Sequence, residues 1–323
     1  MSIRAFILRF TWPVLVAAAC ASTVPSGPTV QSGQTAPSGA PPAPTASPSP
    51  MSMEEQETEG PTQTPIGARL VQATSCDPAL VPGTWALPGP DTSPAPSFRL
   101  HIPILMYHRV LPPALADHWL AVSPQEFDAQ LTALQGAGWN TITMADLAAD
   151  LEAGLDPPAR SFVITIDDGH YDGYTYALPI LQRHGYVATY FVIAGRIGDP
   201  DDLTAAELVA LTRAGMEIGN HTVDHYALTA RSPASVTYEI DTAEATLAAI
   251  TGSWPQSFAY PRGKHDAAVV AAVRACGPIR IAVVEGGASP EMWVDRYTIP
   301  RLEVTSSRTP PILLADVERI ARH

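Results

Sequence analysis

The sequence is nearly without lysine: Lys264 is the only one, so the other basic residues among its 19 are arginines. Charge of either sign is scarce at 16%, and the balance is acidic, with a formal net charge of −13. That sign excludes nucleic acid as a partner, because phosphates need a basic surface. It leaves a neutral or cationic sugar open. No Gly-x-Gly-x-x-Gly follows an early strand, which argues against dinucleotide binding. The one N-terminal apolar run is short and contains Pro13, which argues against a permanent transmembrane helix.

Proline, in contrast, is abundant, with 33 residues, and 46% of the chain is apolar. That much apolar material suffices for a large core, so the prolines must be concentrated elsewhere. Residues 1–20 carry Arg4 and Arg9, an apolar run and then small residues before Cys20, the order of an export signal. Val16-Ala17-Ala18-Ala19-Cys20 also has the outline of a lipobox, with Ala17 where a leucine is more usual. Cys20 is then either a lipidated first residue, the only membrane attachment expected, or incidental to a cleaved signal. The protein is accordingly expected outside the cytoplasm: at the outer face of the membrane as a lipoprotein, or secreted or periplasmic. Residues 21–97 form a Pro/Ser/Thr-rich segment that buries too little surface to offset chain entropy, so a disordered stalk is expected. Within it, residues 70–87, with Cys76 and Trp85, are less polar and could pack as an arm. If Cys20 is lipidated, Cys76 and Cys276 remain, as a disulfide or as two thiols.

Residues 98–323 alternate apolar strand patterns with helical ones. Strands are expected at Ile102–Tyr107, around Thr141-Ile142, at Phe162–Ile166, Ala188–Ile193, Met216–Gly219, Ser257–Tyr260, Ile279–Val284 and Thr298–Val304. Ser123-Pro124-Gln125-Glu126 is a capping box with proline at the first helical position. Seven or eight βα units suggest a parallel barrel, whose working residues sit at the C-terminal ends of the strands.

Two motifs fall at such ends. Asp167-Asp168-Gly169 follows an apolar strand, and adjacent carboxylates there need a cation to separate their roles. Alone it reads better as an ordinary Asp-Asp-Gly turn. His221-Thr222-Val223-Asp224-His225 follows another strand, and histidines four apart on a helical turn could share one metal. Two histidines and one aspartate are the set expected of catalytic zinc with an open position for water. Cobalt, nickel or iron also suits these ligands.

Together, Thr165-Ile166-Asp167-Asp168-Gly169 and His221-Thr222-Val223-Asp224-His225 resemble the first two motifs of the polysaccharide deacetylases, the NodB-homology domain of carbohydrate esterase family 4. Leu105-Met106-Tyr107-His108-Arg109-Val110 and Phe258-Ala259-Tyr260-Pro261-Arg262-Gly263 resemble the exported subgroup that includes deacetylases of poly-β-1,6-N-acetylglucosamine. The resemblance implies a distorted, incomplete (β/α)7-8 barrel and a metal-dependent hydrolase of N-acetylated polysaccharide; no protein partner is predicted. It implies a metal held by Asp168, His221 and His225, Asp167 as general base, and the Arg262 N–H as donor to the oxyanion. The family's third-motif Arg and Tyr are replaced by Ala259 and Arg262, so Arg301 is the candidate to orient the base. The Leu-x-His motif is absent, which leaves His108 as the candidate acid, with a role as a wall residue given nearly equal weight; His323 is a poor substitute. Trp293 and Asp295 loosely echo the fourth motif. Tyr107, Tyr260 and Trp293 could stack on sugar rings or simply pack. His118, His184 and His265 read as ordinary surface residues, and His170 as a second-layer or wall residue. A metal-containing glycan-binding module without turnover is the alternative, against which Asp167 speaks.

Overall fold

The computed structural model describes residues 98–322, apart from 100, 114, 116–118 and 289–292. The expected signal at 1–20 with Cys20, the stalk at 21–97, the arm at 70–87 with Cys76, and His118 and His323 lie outside the described residues. No described helix is long and apolar enough to cross a membrane.

The chain enters through β1 (Phe98–Arg99) and the buried β2 (Ile104–Tyr107), followed by β3 (Arg109–Val110) and β4 (Ala121–Val122), which pair with each other. α1 (Pro124–Gly136) starts at a reciprocal capping box: Ser123 accepts from the Glu126 N–H and Glu126 from the Ser123 N–H. β5 (Asn140–Ile142) leads into α2 (Met144–Ala153), capped in the same way by Thr143 and Asp146. β6 (Ser161–Ile166) is buried throughout. A π-helical turn at Gly173–Ala177 then runs into α3 (Leu178–His184). β7 (Thr189–Val192), α4 (Ala205–Arg213), β8 (Glu217–Asn220) and α5 (Pro233–Thr251) follow. The C-terminal part holds β9 (Ser257–Ala259), α6 (Ala267–Ala275), β10 (Ile281–Gly287), β11 (Trp293–Val294), β12 (Ile299–Glu303) and α7 (Pro310–Ile320).

Seven parallel strands close a ring in the order β2, β6, β7, β8, β9, β10, β12 and back to β2. β5 is an extra strand that pairs with the first half of β6, on the edge whose second half pairs with β7. The barrel is distorted: β8 and β9 share one registered pair, Asn220 with Phe258, and the β10–β12 register shifts between Val284 and Gly287.

Strand parity decides what faces inward. Ile104, Val163, Phe191, Ala259, Ile281, Val283 and Ile299 come from six different strands yet form one cluster, which is possible only inside the ring. Met144, Leu147 and Ala148 of α2 belong to it and close the N-terminal end, where the Met144 N–H donates to Thr189 and the Ala145 N–H to Glu217. The alternate residues Leu105, Tyr107, Phe162, Ile164, Ile166, Tyr190 and Val192 face outward into the larger cluster under the helices. Period two then carries the inward face of β6 from Val163 through Thr165 to Asp167. It carries that of β12 from Ile299 to Arg301, and that of β2 from Ile104 to His108.

Candidate functional site

The inward residues meet at the C-terminal mouth. Arg301 lies on β12 and Asp167 just past β6, and they form a two-pronged ion pair: each terminal nitrogen of the guanidinium donates to one carboxylate oxygen at 2.7 Å. Arg301 is 1% exposed and Asp167 2%. The arginine is itself fixed, since it donates to the Thr165 hydroxyl at 2.9 Å and through Nε to the Val284 carbonyl at 3.1 Å. Burial pushes the Asp167 carboxyl up, but Arg301 together with His221 and His108 holds the group below the usual carboxylate range.

Asp168 turns away from its neighbour through a backbone φ of +74°. Its Oδ1 is buried without a hydrogen-bond partner, 3.5 Å from His221 Nε2 and 3.6 Å from His225 Nε2. His221 Nδ1 contacts the Ala259 carbonyl at 2.8 Å, so in that tautomer Nε2 carries the lone pair that faces Asp168. One ligand atom from each of the three residues fits within a 4.8 Å span. Tetrahedral ligands at about 2.1 Å from zinc stand about 3.4 Å apart, so the spacing fits a divalent metal. The orphaned oxygen fits it also, because buried polar atoms in folded proteins are almost always partnered.

The charges around this cluster are strongly coupled. Burial and the neighbouring His221 lower His225 to about 4. Burial acts to lower His221 too, but Asp168 and Asp167 raise it overall. The imidazole centroids are 4.7 Å apart, so one of the pair stays neutral. His108 lies at the end of β2 with its Nδ1 buried and unpartnered; burial outweighs the two aspartates and holds it below the usual histidine range.

Other expectations resolve differently. The helical turn expected for His221 to His225 is a loop, in which Thr222 and His225 have φ of +67° and +58°. The histidines converge through that irregular path. Tyr107 and Tyr260 cannot stack on a sugar, being 0% and 1% exposed, because strand parity turns both outward under helices. Tyr107 donates to Gln130 of α1, and its ring meets Phe127 edge-on. Asp295 precedes β12 and so sits at the opposite end of the barrel, where it pairs with Arg274; the side chain of Trp293 is outside the described residues. Arg262 has an exposed side chain on the turn after β9, with φ of +58°. No hydrogen bond from its N–H forms among the described residues. His170 stands against the cluster, with Nε2 3.6 Å from Asp168 Oδ2 and Nδ1 2.9 Å from Asp202 Oδ1. The Asp202 contact is an ion pair whose angle falls short of a hydrogen bond. Burial works against charge on His170, but the two carboxylates raise it to about 9.

Four of the five non-glycine residues with positive φ among those described, Asp168, Thr222, His225 and Arg262, belong to this mouth. Backbone strain concentrated in this way marks a functional site.

Fold and site together define a class: a parallel β/α-barrel enzyme whose polar machinery lies at the C-terminal strand ends. Residues 154–278 match the polysaccharide deacetylase family model. Over that stretch the chain is similar to the polysaccharide deacetylases, and it is a hydrolase. YxkH of Bacillus subtilis is 27% identical over 205 residues, 63% of this chain and 71% of that one. A chitooligosaccharide deacetylase of Azorhizobium caulinodans is 32% identical over 149 residues, 44% of this chain and 64% of that protein. The Streptococcus pyogenes deacetylase PplD, solved in complex with acetate, aligns at a TM-score of 0.61 with 28% identity, over 68% of this chain and 98% of that one.

Sequence reasoning missed Glu239, Asn220, Asp202 and Gly195, all of which touch or support the cluster. Each has a residue type common on helices and loops, and only the topology sets them apart.

Proposed function

We propose that this chain uses a divalent metal to hydrolyse acetyl groups from the N-acetylglucosamine units of an extracellular or cell-wall polysaccharide. The observation that carries the reading is the buried, unpartnered Asp168 oxygen facing two histidine nitrogens, beside a second aspartate locked by an arginine. Asp168, His221 and His225 hold the metal, zinc first, with cobalt, nickel or iron also suited to the set. The bound ion supplies Lewis acidity toward the acetyl carbonyl and brings the pKa of a water toward ~7.

Asp167 takes the proton of the attacking water. Arg301 occupies one lone pair on each of its oxygens and leaves another on each free. Arg301 also stops the carboxylate from rotating and keeps it ionised, and Thr165 and the Val284 carbonyl stop Arg301 from following the substrate. The unengaged Arg262 N–H is the donor for the developing oxyanion. His108 is neutral at rest, so it relays the proton that Asp167 takes on to the departing amine nitrogen as the C–N bond breaks. The products are acetate and a free amino sugar. The chitooligosaccharide deacetylase and the acetate complex among the relatives support this substrate class. The motifs at 105–110 and 258–263 favour a poly-β-1,6-linked polymer, and the N-terminal segment favours export with lipid on Cys20.

The test is acetate release from a panel of defined N-acetylated glycans, with zinc and cobalt added separately to metal-free protein. Release that vanishes on chelation and falls about 10²- to 10⁴-fold in Asp167→Asn is expected. Metal and glycan binding without any acetate would favour a binding module instead.

A further inference from the structure

The loop that carries both histidines has no regular secondary structure, yet each of its N–H groups has an acceptor. The His221 N–H donates to the Val192 carbonyl, that of Thr222 to Asn220 Oδ1 at 2.7 Å, and that of His225 to the Thr222 hydroxyl at 3.1 Å. The two between, Val223 and Asp224, both donate to one oxygen, Glu239 Oε2, at 3.0 and 2.9 Å. Glu239 comes from the middle of α5 and is 2% exposed. A glutamate is seldom buried on a helix without a partner, since desolvating the charge is costly. Here two charge-assisted hydrogen bonds offset that cost.

The opposite side of the loop is held too. The Ala194 and Gly195 N–H groups donate to the Thr222 and Val223 carbonyls at 2.9 and 3.0 Å. The loop is therefore clamped between the turn after β7 and α5, with positive φ at Thr222 and His225 retained.

We propose that Glu239 is a positioning residue for the metal histidines: its Oε2 fixes the Val223–Asp224 peptide and thereby the separation of His221 and His225 around the ion. This rests on the metal reading of the site given above. The requirement is for an acceptor atom at that point, not for negative charge. Glu239→Gln keeps the oxygen and removes the charge, whereas Glu239→Asp keeps the charge and withdraws the oxygen by one methylene. Glu239→Leu removes both.

The test is zinc affinity, measured by competition with a chromophoric chelator on metal-free protein. The visible absorption spectrum of the cobalt-loaded form and the melting temperature of the metal-free form accompany it. Glu239→Gln should bind zinc within about threefold of wild type and keep the cobalt spectrum. Glu239→Asp should bind about 10- to 100-fold more weakly, the range for loss of a group that supports metal ligands, with an altered cobalt spectrum. Glu239→Leu, if it folds, should match Glu239→Asp. Wild-type affinity in Glu239→Asp, or equal weakening in Glu239→Gln and Glu239→Asp, would overturn the proposal. A wild-type protein that binds neither zinc nor cobalt would sink the metal reading itself and this inference with it, an outcome distinct from the other two.

Discussion

Arg301 and Asp167 are each the other's reason for being buried. A guanidinium that is 1% exposed and a carboxylate that is 2% exposed would each be costly alone. Arg301→Met should therefore destabilise the fold by about 3–5 kcal/mol in urea unfolding, the usual loss when one partner of a buried pair is removed. Arg301→Lys keeps the charge but not the fork and should fall between. Asp167→Asn should lose about 10²- to 10⁴-fold in acetate release while retaining zinc, since the proposed ligands Asp168, His221 and His225 are untouched. Titration of zinc into the variant checks the second half. Arg301 could be named from sequence as a candidate because Ala259 stands where the family's third motif has its arginine, so a neighbouring strand had to supply one. That it would reach Asp167 depends on both strands' parity within a closed ring, which one strand's pattern does not contain. The same missing information left Tyr107 and Tyr260 open as sugar platforms, although both turn outward.

At the scale of elements, the histidine loop and α5 act as one unit. Gly195 lets the turn after β7 approach closely, because a Cβ there would stand 2.6 Å from the Val223 carbonyl oxygen. Gly195→Ala should push the loop outward, weaken zinc binding and destabilise the protein by about 1–3 kcal/mol in denaturant unfolding. Unchanged zinc affinity would show that the loop is not held from that side. Deeper in α5, Glu244 accepts from Asn220 and burial raises its carboxyl well above the ordinary range, with Asp241 adding to the shift. The native state then holds a proton that the unfolded chain gives up at a lower pH. Stability should fall as pH rises above 4.5, the ordinary glutamate value, until the folded group ionises. Glu244→Gln should flatten that slope in unfolding measured across pH. The start of α1 was legible because a cap is local: Ser123-Pro124-Gln125-Glu126 is read directly. The loop was not, because spacing of four implies a helical turn unless positive-φ residues intervene, and acids facing inward from α5 look like an ordinary solvated face.

For the whole molecule, the barrel was legible as a count of alternating elements, while its strand order and the position of β5 beside β6 were not, since pairing order is not written in any one segment. Strand order is also what assembles the site: Asp167, His221, His108 and Arg301 lie on four different strands or their ends and share a mouth only because the ring closes. Cys276, at the end of α6, is disulfide-bonded. Alkylation without reductant followed by peptide mapping should leave it unlabelled, and a labelled Cys276 would contradict the bridge. At the mouth of the barrel, the proposed chemistry has a metal held by Asp168, His221 and His225 working with Asp167 to release acetate. Its most direct test is acetate produced from an N-acetylglucosamine oligomer by metal-free protein before and after addition of one equivalent of zinc or cobalt. Negligible acetate is expected before addition and restored turnover after it in the wild type, with turnover about 10²- to 10⁴-fold lower in Asp167→Asn. Equal turnover with and without metal would contradict that chemistry.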